Sequence, residues 1–137
     1  MGLRALNATP ISLALLAPLA RPEGRPAFQQ WWGTTDPARI EAAAERLEEI
    51  AGEIGQARPE VGGDLVCREI AQATRLARHG LLRLGLRLYS RGPDAAELRR
   101  DLEGLIEEQA QVWRARSRPG GLENTLDRLR NSLRDYA

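Results

Sequence analysis

The sequence predicts an all-α fold, an antiparallel up-and-down bundle of three long helices followed by one short C-terminal helix. Apolar residues recur every three or four positions over three long segments, whereas strand-like alternation never extends beyond a few residues. Turn residues bound each segment, and the short connections favour antiparallel packing of neighbouring helices. The chain has 137 residues, which is enough for one domain with its own core.

Residues 1–35 lack helical periodicity and are predicted to form an irregular apolar segment that packs on a bundle of residues 36–137. The apolar run Ile11–Ala20 is too short to span a bilayer, and we interpret it as a buried segment rather than as a signal peptide. Trp31 and Trp32 are adjacent, so they either anchor this segment on the helices or form a platform for sugars; packing is the favoured interpretation.

The first helix is predicted from a cap at Thr35 or Asp36, with Pro37 in the first turn, to about Ala57. Pro59 then prevents its continuation. Its apolar face is predicted to comprise Ile40, Ala43, Ala44, Leu47, Ile50, Ala51 and Ile54.

The second helix is predicted to begin between Glu60 and Asp64 and to end near Ser90. Its apolar stripe is predicted to comprise Val66, Ile70, Ala73, Ala77, Leu81, Leu84 and Leu88. Leu76, Leu82 and Leu86 broaden this stripe near the C-terminal end. Leu82 and Leu86 form the candidate interface together with Trp31 and Trp32, because a monomeric domain rarely leaves so large an apolar patch bare.

The third helix is predicted from about Asp94, after the stop Arg91–Asp94, to Arg116. Pro119 then favours an extended residue before it, and Gly120 and Gly121 permit the positive φ angles of a tight reversal. A last helix, Leu122–Leu133, follows with leucines spaced by four, three and four residues.

The segment around this reversal has a recognisable motif. WRARSRPGGLENTLDRL, residues 113–129, resembles the W-x-A-R-N-R-P-G-G-L-x-x-S/T-x-x-R-L segment near the C-terminus of bacterial β-N-acetylhexosaminidases of glycoside hydrolase family 20. This chain departs from the pattern at Ser117, where asparagine is common. The motif residues are interpreted as structural: Trp113, Arg116, Arg118, Pro119, Gly120, Gly121 and Leu122.

Two of these interpretations are specific enough to be tested by a structure. Trp113 is expected to bury its ring between the third and last helices. Arg116 and Arg118 lie at a helix C-terminus, where cations complement the helix dipole and can bond terminal carbonyls.

The resemblance implies a helical domain that follows a catalytic barrel. Such a barrel takes about 250 residues, so this chain is too short to contain it. In the family an Asp-Glu pair on the barrel hydrolyses β-linked N-acetylhexosaminides with help from the substrate's own acetamido group. The Asp-Glu dipeptide does not occur here. The chain itself is therefore expected to be a non-catalytic accessory domain.

Other chemistry has little support in the sequence. One cysteine, Cys67, and one histidine, His79, cannot form a metal site, and no catalytic or cofactor residue is predicted. His79, beside Gly80, is interpreted as a boundary residue rather than as a proton shuttle. All 20 basic residues are arginine, but 19 acidic residues are interleaved with them, which argues against a nucleic-acid partner.

The expected partner is the catalytic barrel of a parent enzyme or a second copy in a homodimer, with no nucleic acid and no membrane. The absence of cysteine pairs favours a cytoplasmic location. The alternative function is a free-standing helical protein-interaction module.

Overall fold

The computed structural model describes residues 36–57, 59, 61, 63–116 and 120–137, and it confirms the predicted all-α class. Four α-helices follow one another in these described ranges, and a short 3₁₀ turn lies at the C-terminus. They are α1 (Pro37–Gln56), α2 (Gly63–Tyr89), α3 (Ala95–Arg116), α4 (Leu122–Leu133) and the C-terminal turn Arg134–Tyr136. Residues 1–35, including the predicted packing of Trp31 and Trp32, lie outside the described part of the chain.

Local capping explains where α1 and α3 begin. The Asp36 side chain accepts a hydrogen bond from the Ala38 amide at 3.0 Å, and Pro37 occupies the first helical position. At α3, the Glu97 amide donates to the Asp94 carboxylate at 2.8 Å, and the Asp94 amide donates back to the Glu97 carboxylate at 2.9 Å. This reciprocal pair satisfies two amides that a helix start leaves without partners.

Ion pairs between helices establish that neighbours run antiparallel. Arg91 at the end of α2 pairs with Glu41 at the start of α1, and Arg78 pairs with Glu48 further along. Between α2 and α3, Arg68 pairs with Glu108 at 2.9 Å. These pairs join the beginning of one helix to the end of the next, as the predicted up-and-down topology requires.

The helices pack in sequential pairs rather than around one common axis. Among the described residues, no Cα atom of α1 lies within 8 Å of α3 or α4, and α4 approaches α3 but not α2. Adjacent positions on a helix point about 100° apart, and Arg78 bonds α1 whereas His79 bonds α3. The two partners of α2 therefore lie on different sides of it.

The core is concentrated around α3. Its main cluster lies where α2, α3, α4 and the C-terminal turn converge, and consists of Leu98, Leu102, Leu105, Leu129 and Tyr136. A second cluster, nearer the reversal between α3 and α4, consists of Ala110, Leu122 and Leu126. The first helix packs closely along α2 and buries Ile40, Ala44 and Ala51 there.

The predicted apolar stripe of α2 is wrong in its N-terminal half. Val66 and Ile70 are 38% and 48% exposed, although Ala77 and Leu84 further along are buried. The face that packs on α3 is a different one, with spacings of four, three, four and three residues: Gln72, Leu76, His79, Arg83 and Leu86. Three of these five side chains are polar, so a search for apolar periodicity passes over this face.

Helix interiors offer a direct test of the fold. Gly104 is exposed in the middle of α3, and an added Cβ would meet no atom within 4 Å. We expect Gly104→Ala to raise the free energy of unfolding by about 0.5–1 kcal/mol, because alanine loses less backbone entropy in a helix. Chemical denaturation followed by circular dichroism measures the change.

Gly121→Ala is the matched control for this substitution. Gly121 has a φ angle of +84°, and its added Cβ would lie 3.5 Å from the Trp113 ring. The same glycine-to-alanine change should destabilise the protein there, and equal effects at both positions would contradict the structure.

Candidate functional site

The most unusual feature of the described chain is a cluster of polar side chains with a buried centre, at the C-terminal end. We call it the C-terminal clasp; it comprises His79 and Arg83 of α2, Asp101 of α3, and Asp135 and Tyr136 of the final turn. His79, Arg83 and Tyr136 are buried, whereas the side chains of Asp101 and Asp135 are 42% and 22% exposed. Buried ionisable groups need partners, and these residues bond one another.

The His79 ring is held at both nitrogens. Its Nδ1 lies 2.7 Å from an Asp101 carboxylate oxygen, and its Nε2 lies 2.9 Å from the Tyr136 hydroxyl. Because a carboxylate only accepts hydrogen bonds, Nδ1 carries a proton. The second bond joins Nε2 to the Tyr136 hydroxyl, so both ring nitrogens have partners. His79 is therefore a core residue, and its interpretation as a boundary residue is wrong.

Arg83 ties the C-terminal turn to α2 in two ways. One guanidinium nitrogen donates to the Asp135 carboxylate, forming an ion pair. The guanidinium carbon also lies 5.8 Å from the centre of the Tyr136 ring, within range of a cation–π interaction. The Tyr136 ring meets the His79 ring edge-on, with centres 6.0 Å apart. Arg83 thus contacts both the Asp135 carboxylate and the Tyr136 ring of the last turn.

Burial determines what the Tyr136 hydroxyl can do. Removal from water raises the pKa of Tyr136 above its ordinary value of 10, an effect that the positive charge of Arg83 partly opposes. The carboxylates of Asp135 and Asp101 raise this pKa further. The hydroxyl therefore stays protonated and acts as a hydrogen-bond donor.

The order carboxylate, imidazole, hydroxyl is also that of nucleophile-activating triads. An activated nucleophile must meet its substrate, but here the imidazole and the phenol are both buried. The two larger grooves among the described residues are lined by other side chains. The arrangement is that of a structural network of hydrogen bonds and an ion pair, which joins α2, α3 and the C-terminus.

The structure describes part of the motif around the reversal. Trp113, whose ring was expected to be buried, is half-buried and packs on the cluster formed by Ala110, Leu122 and Leu126, between α3 and α4. Gly121 takes the positive φ angle that the reversal needs, and a Cβ added to it would lie 3.5 Å from the Trp113 ring.

Of the two arginines expected to complement the end of their helix, the structure describes only Arg116. Arg116 forms an ion pair with Glu69 of α2 at 2.9 Å, so it links two helices rather than only serving the end of its own. Arg118 and Pro119 lie outside the described residues.

Of the candidate interface predicted from the sequence, the structure describes Leu82 and Leu86 but not Trp31 and Trp32. Leu82 and Leu86 are half-buried and pack against the main core cluster, on the side of Leu98 and Leu102. The large apolar residues that are exposed in the described chain are Val61, Val66 and Ile70. We call Val66, Ile70 and the exposed Ala73 beside them the α2 stripe.

Sequence reasoning missed the clasp because each residue has an ordinary alternative role. Arginine and aspartate usually lie at the surface, and a single histidine carries no motif. The available signal was positional: His79 and Arg83 are four residues apart and share a heptad-like face with Leu76 and Leu86. A polar pair in such a face predicts buried partners elsewhere in the chain.

Comparison with known proteins does not assign a family, since no family model, curated protein or solved structure matches this chain significantly. Within the described ranges, no group of three or more histidine, cysteine or acidic residues is arranged to hold a metal ion. The helices of this part of the chain are all too short or too polar to cross a membrane.

The clasp makes a specific prediction about stability. Asp135→Ala removes the carboxylate partner of a guanidinium that is 1% exposed, and should lower the free energy of unfolding by about 3 kcal/mol. Thermal and urea unfolding measure the loss. Asp127→Ala, which removes an exposed ion pair with Arg130, is the matched control and should change the melting temperature little. Equal effects of the two substitutions would show that the clasp does not stabilise the fold.

The clasp also predicts a loss of stability in alkaline solution. Above about pH 10 the unfolded chain releases the Tyr136 proton, whereas the folded chain retains it because its pKa is raised. The contribution is therefore complete below pH 10 and declines by about 1.4 kcal/mol per pH unit as the pH rises towards the folded pKa. Denaturation of the wild type and of Tyr136→Phe between about pH 9 and 11.5 should give a shallower slope for the variant. Parallel slopes would argue against a buried, protonated phenol.

Proposed function

We propose that this chain is a non-catalytic helical accessory domain that docks on a larger partner. In the favoured form of the proposal the partner is the catalytic barrel of a β-N-acetylhexosaminidase-like glycoside hydrolase, whose substrates are β-linked N-acetylhexosaminides. The observation that carries the docking role is the α2 stripe, in which Val66 and Ile70 remain 38% and 48% exposed on a helix that is otherwise apolar along the same side.

The structural role of the motif supports the accessory part of the proposal. Trp113 and Gly121 lie together at the reversal between α3 and α4. The link to family 20 rests on the resemblance of residues 113–129 alone. A domain of this kind contributes shape and rigidity to the parent protein.

The packing of the helices supports docking as well. The first helix packs on α2 only, and no Cα atom of α4 lies within 8 Å of α2 among the described residues. Such an open row of helices leaves more helix surface uncovered than a closed bundle does. A partner that covers the α2 stripe would shield its apolar side chains from water, which stabilises the complex by roughly 25 cal/mol for each Å² of apolar area buried.

A second candidate is a free-standing interaction module that forms a two-fold homodimer through the same stripe. Apolar exposure on one face favours it, because an isologous interface needs only one self-complementary patch. This form requires no parent enzyme. The two candidates differ in what covers Val66 and Ile70.

We expect the double substitution Val66→Asp/Ile70→Asp to abolish docking without unfolding the chain, because both side chains are exposed. Isothermal titration against a separately expressed family 20 catalytic barrel tests the favoured form, and light scattering of the chain alone tests the homodimer. Ala96→Asp, which adds a charge at an exposed position of α3, is the matched control and should leave association intact.

Three outcomes would count against these proposals. A wild type that remains monomeric and binds no barrel would reject both forms. Association that survives the double substitution would reject the α2 stripe as the docking surface. Turnover of a chromogenic β-N-acetylglucosaminide by the purified chain would reject its non-catalytic character.

A further inference from the structure

One side of α2 is exposed near the start of the helix and buried near its end. Val66 and Leu84 lie about five full helical turns apart in the sequence, so their side chains point in the same direction from the helix axis. Val66 is nevertheless 38% exposed, whereas Leu84 is 2% exposed. Gly80, one turn before Leu84, is also buried, and Ala73 is exposed. A cover therefore lies over the C-terminal half of this side and stops short of Ala73.

The first helix does not explain this difference, because it flanks α2 at both ends. Near the start of α2, Ile54 of α1 and Cys67 of α2 line one groove. Near the end of α2, a Cβ added to Gly85 would lie 3.9 Å from the Ile40 side chain. Cys67 and Gly85 directly follow the two residues compared above, so both of those point about 100° away from α1. The first helix therefore shields the two to a similar degree.

The third helix and the C-terminal turn lie on another side of α2. The third helix also flanks both ends, since Arg68 and His79 of α2 both bond its carboxylates. Leu84 points about 140° away from His79, and about 100° away from Arg83, which bonds the C-terminal turn. Among the described residues, no Cα atom of that turn or of α4 lies within 8 Å of α2. The described elements thus do not account for the burial of Leu84.

The chain enters the described structure beside this surface. Residues 1–35 lie outside the described part and lead into α1 at Asp36. Pro37 at the start of α1 lines a small cavity together with Leu81 and Gly85 of α2. The segment that precedes Asp36 therefore arrives at the C-terminal half of α2 and far from its start. A cover that comes from this segment would bury Leu84 and leave Val66 exposed.

The sequence of the segment suits an apolar surface. Phe28, Trp31 and Trp32 precede Asp36 by four to eight residues, and the apolar run Ile11–Ala20 lies further upstream. Four extended residues reach about 13–14 Å, which is enough to cross a helix about 10 Å wide. Because the segment is tethered to α1, its effective concentration at this surface is on the order of millimolar, which a second copy must exceed to displace it.

We infer that residues 1–35 dock on α2 over Leu84. The aromatic side chains Phe28, Trp31 and Trp32 make the contact. The docked segment is a third neighbour for the C-terminal half of α2, beside α1 and α3. It ends before the α2 stripe and leaves that surface free for another partner. The inference does not depend on a parent enzyme or on docking at the stripe.

The first measurement uses the unmodified full chain. In NOE spectra of protein with ¹³C-labelled leucine methyl groups, Leu84 should give cross-peaks to the ring protons of Phe28, Trp31 or Trp32. Leu102 is equally buried but lies in the main core cluster, so it is the control and should give no such cross-peaks. Cross-peaks from Leu84 to residues 36–137 alone would overturn the inference, because a described element or a second copy would then be the cover.

The second measurement is the rate of thiol labelling in a matched pair of variants. Leu84→Cys and Val66→Cys place a thiol on the same side of α2, and Cys67→Ser in both removes the natural thiol. Each rate is compared with that of the same variant in denaturing urea, which removes differences in intrinsic reactivity. We expect Leu84→Cys to react at least about tenfold more slowly than Val66→Cys, because its thiol is reached only when the cover opens.

Replacement of the three aromatic residues then identifies the cover. Phe28→Ser, Trp31→Ser and Trp32→Ser together should remove the protection of Leu84→Cys and leave the labelling of Val66→Cys unchanged. Circular dichroism verifies that the helices persist, and the NOE measurement decides if they do not. Equal rates for the two thiols in the parent chain would show that no cover exists. Protection that survives the triple replacement, or that disappears on dilution, would reject the aromatic segment as the cover.

Discussion

The burial of Arg83 is the constraint on which the rest of this structure depends. A guanidinium that is 1% exposed is tolerated only where an acceptor balances its charge, and Asp135 supplies that acceptor from the C-terminal turn, 52 residues further along the chain. Because the same arginine lies over the Tyr136 ring, and Tyr136 in turn bonds His79, three elements are fixed by one connected set of contacts. The end of the chain is thus part of the core.

This fastening also positions the last helix. The clasp joins the C-terminal turn to α2, while Trp113 packs on Leu122 and Leu126 of α4. Between these two points, Leu129 of α4 lies in the same core cluster as Leu98 and Leu102 of α3. Side-chain contacts therefore hold α4 along its whole length.

The helix boundaries were predictable because they depend on local chemistry. Asp36 and Asp94 cap the helices that follow them, and Gly121 permits the reversal between α3 and α4. The predicted last helix, Leu122–Leu133, matches the observed one residue for residue. The antiparallel order was also predictable from the sequence, because connections of only a few residues favour consecutive helices that run in opposite directions.

For the described part of the chain, the sequence by itself thus determined the number of helices, their limits and their direction, because caps, turns and periodicity act over a few residues. Only the tertiary structure decided which side of α2 meets α3. Apolar periodicity favoured Val66, Ile70 and the residues in line with them, but the contact is made by Gln72, His79 and Arg83. Burying these side chains is favourable only with partners at Leu105, Asp101 and Asp135, which are distant in the sequence. Apolar periodicity reflects only which side chains are unfavourable in water. It contains no information about hydrogen-bond partners that are distant in the sequence and meet only in the folded chain.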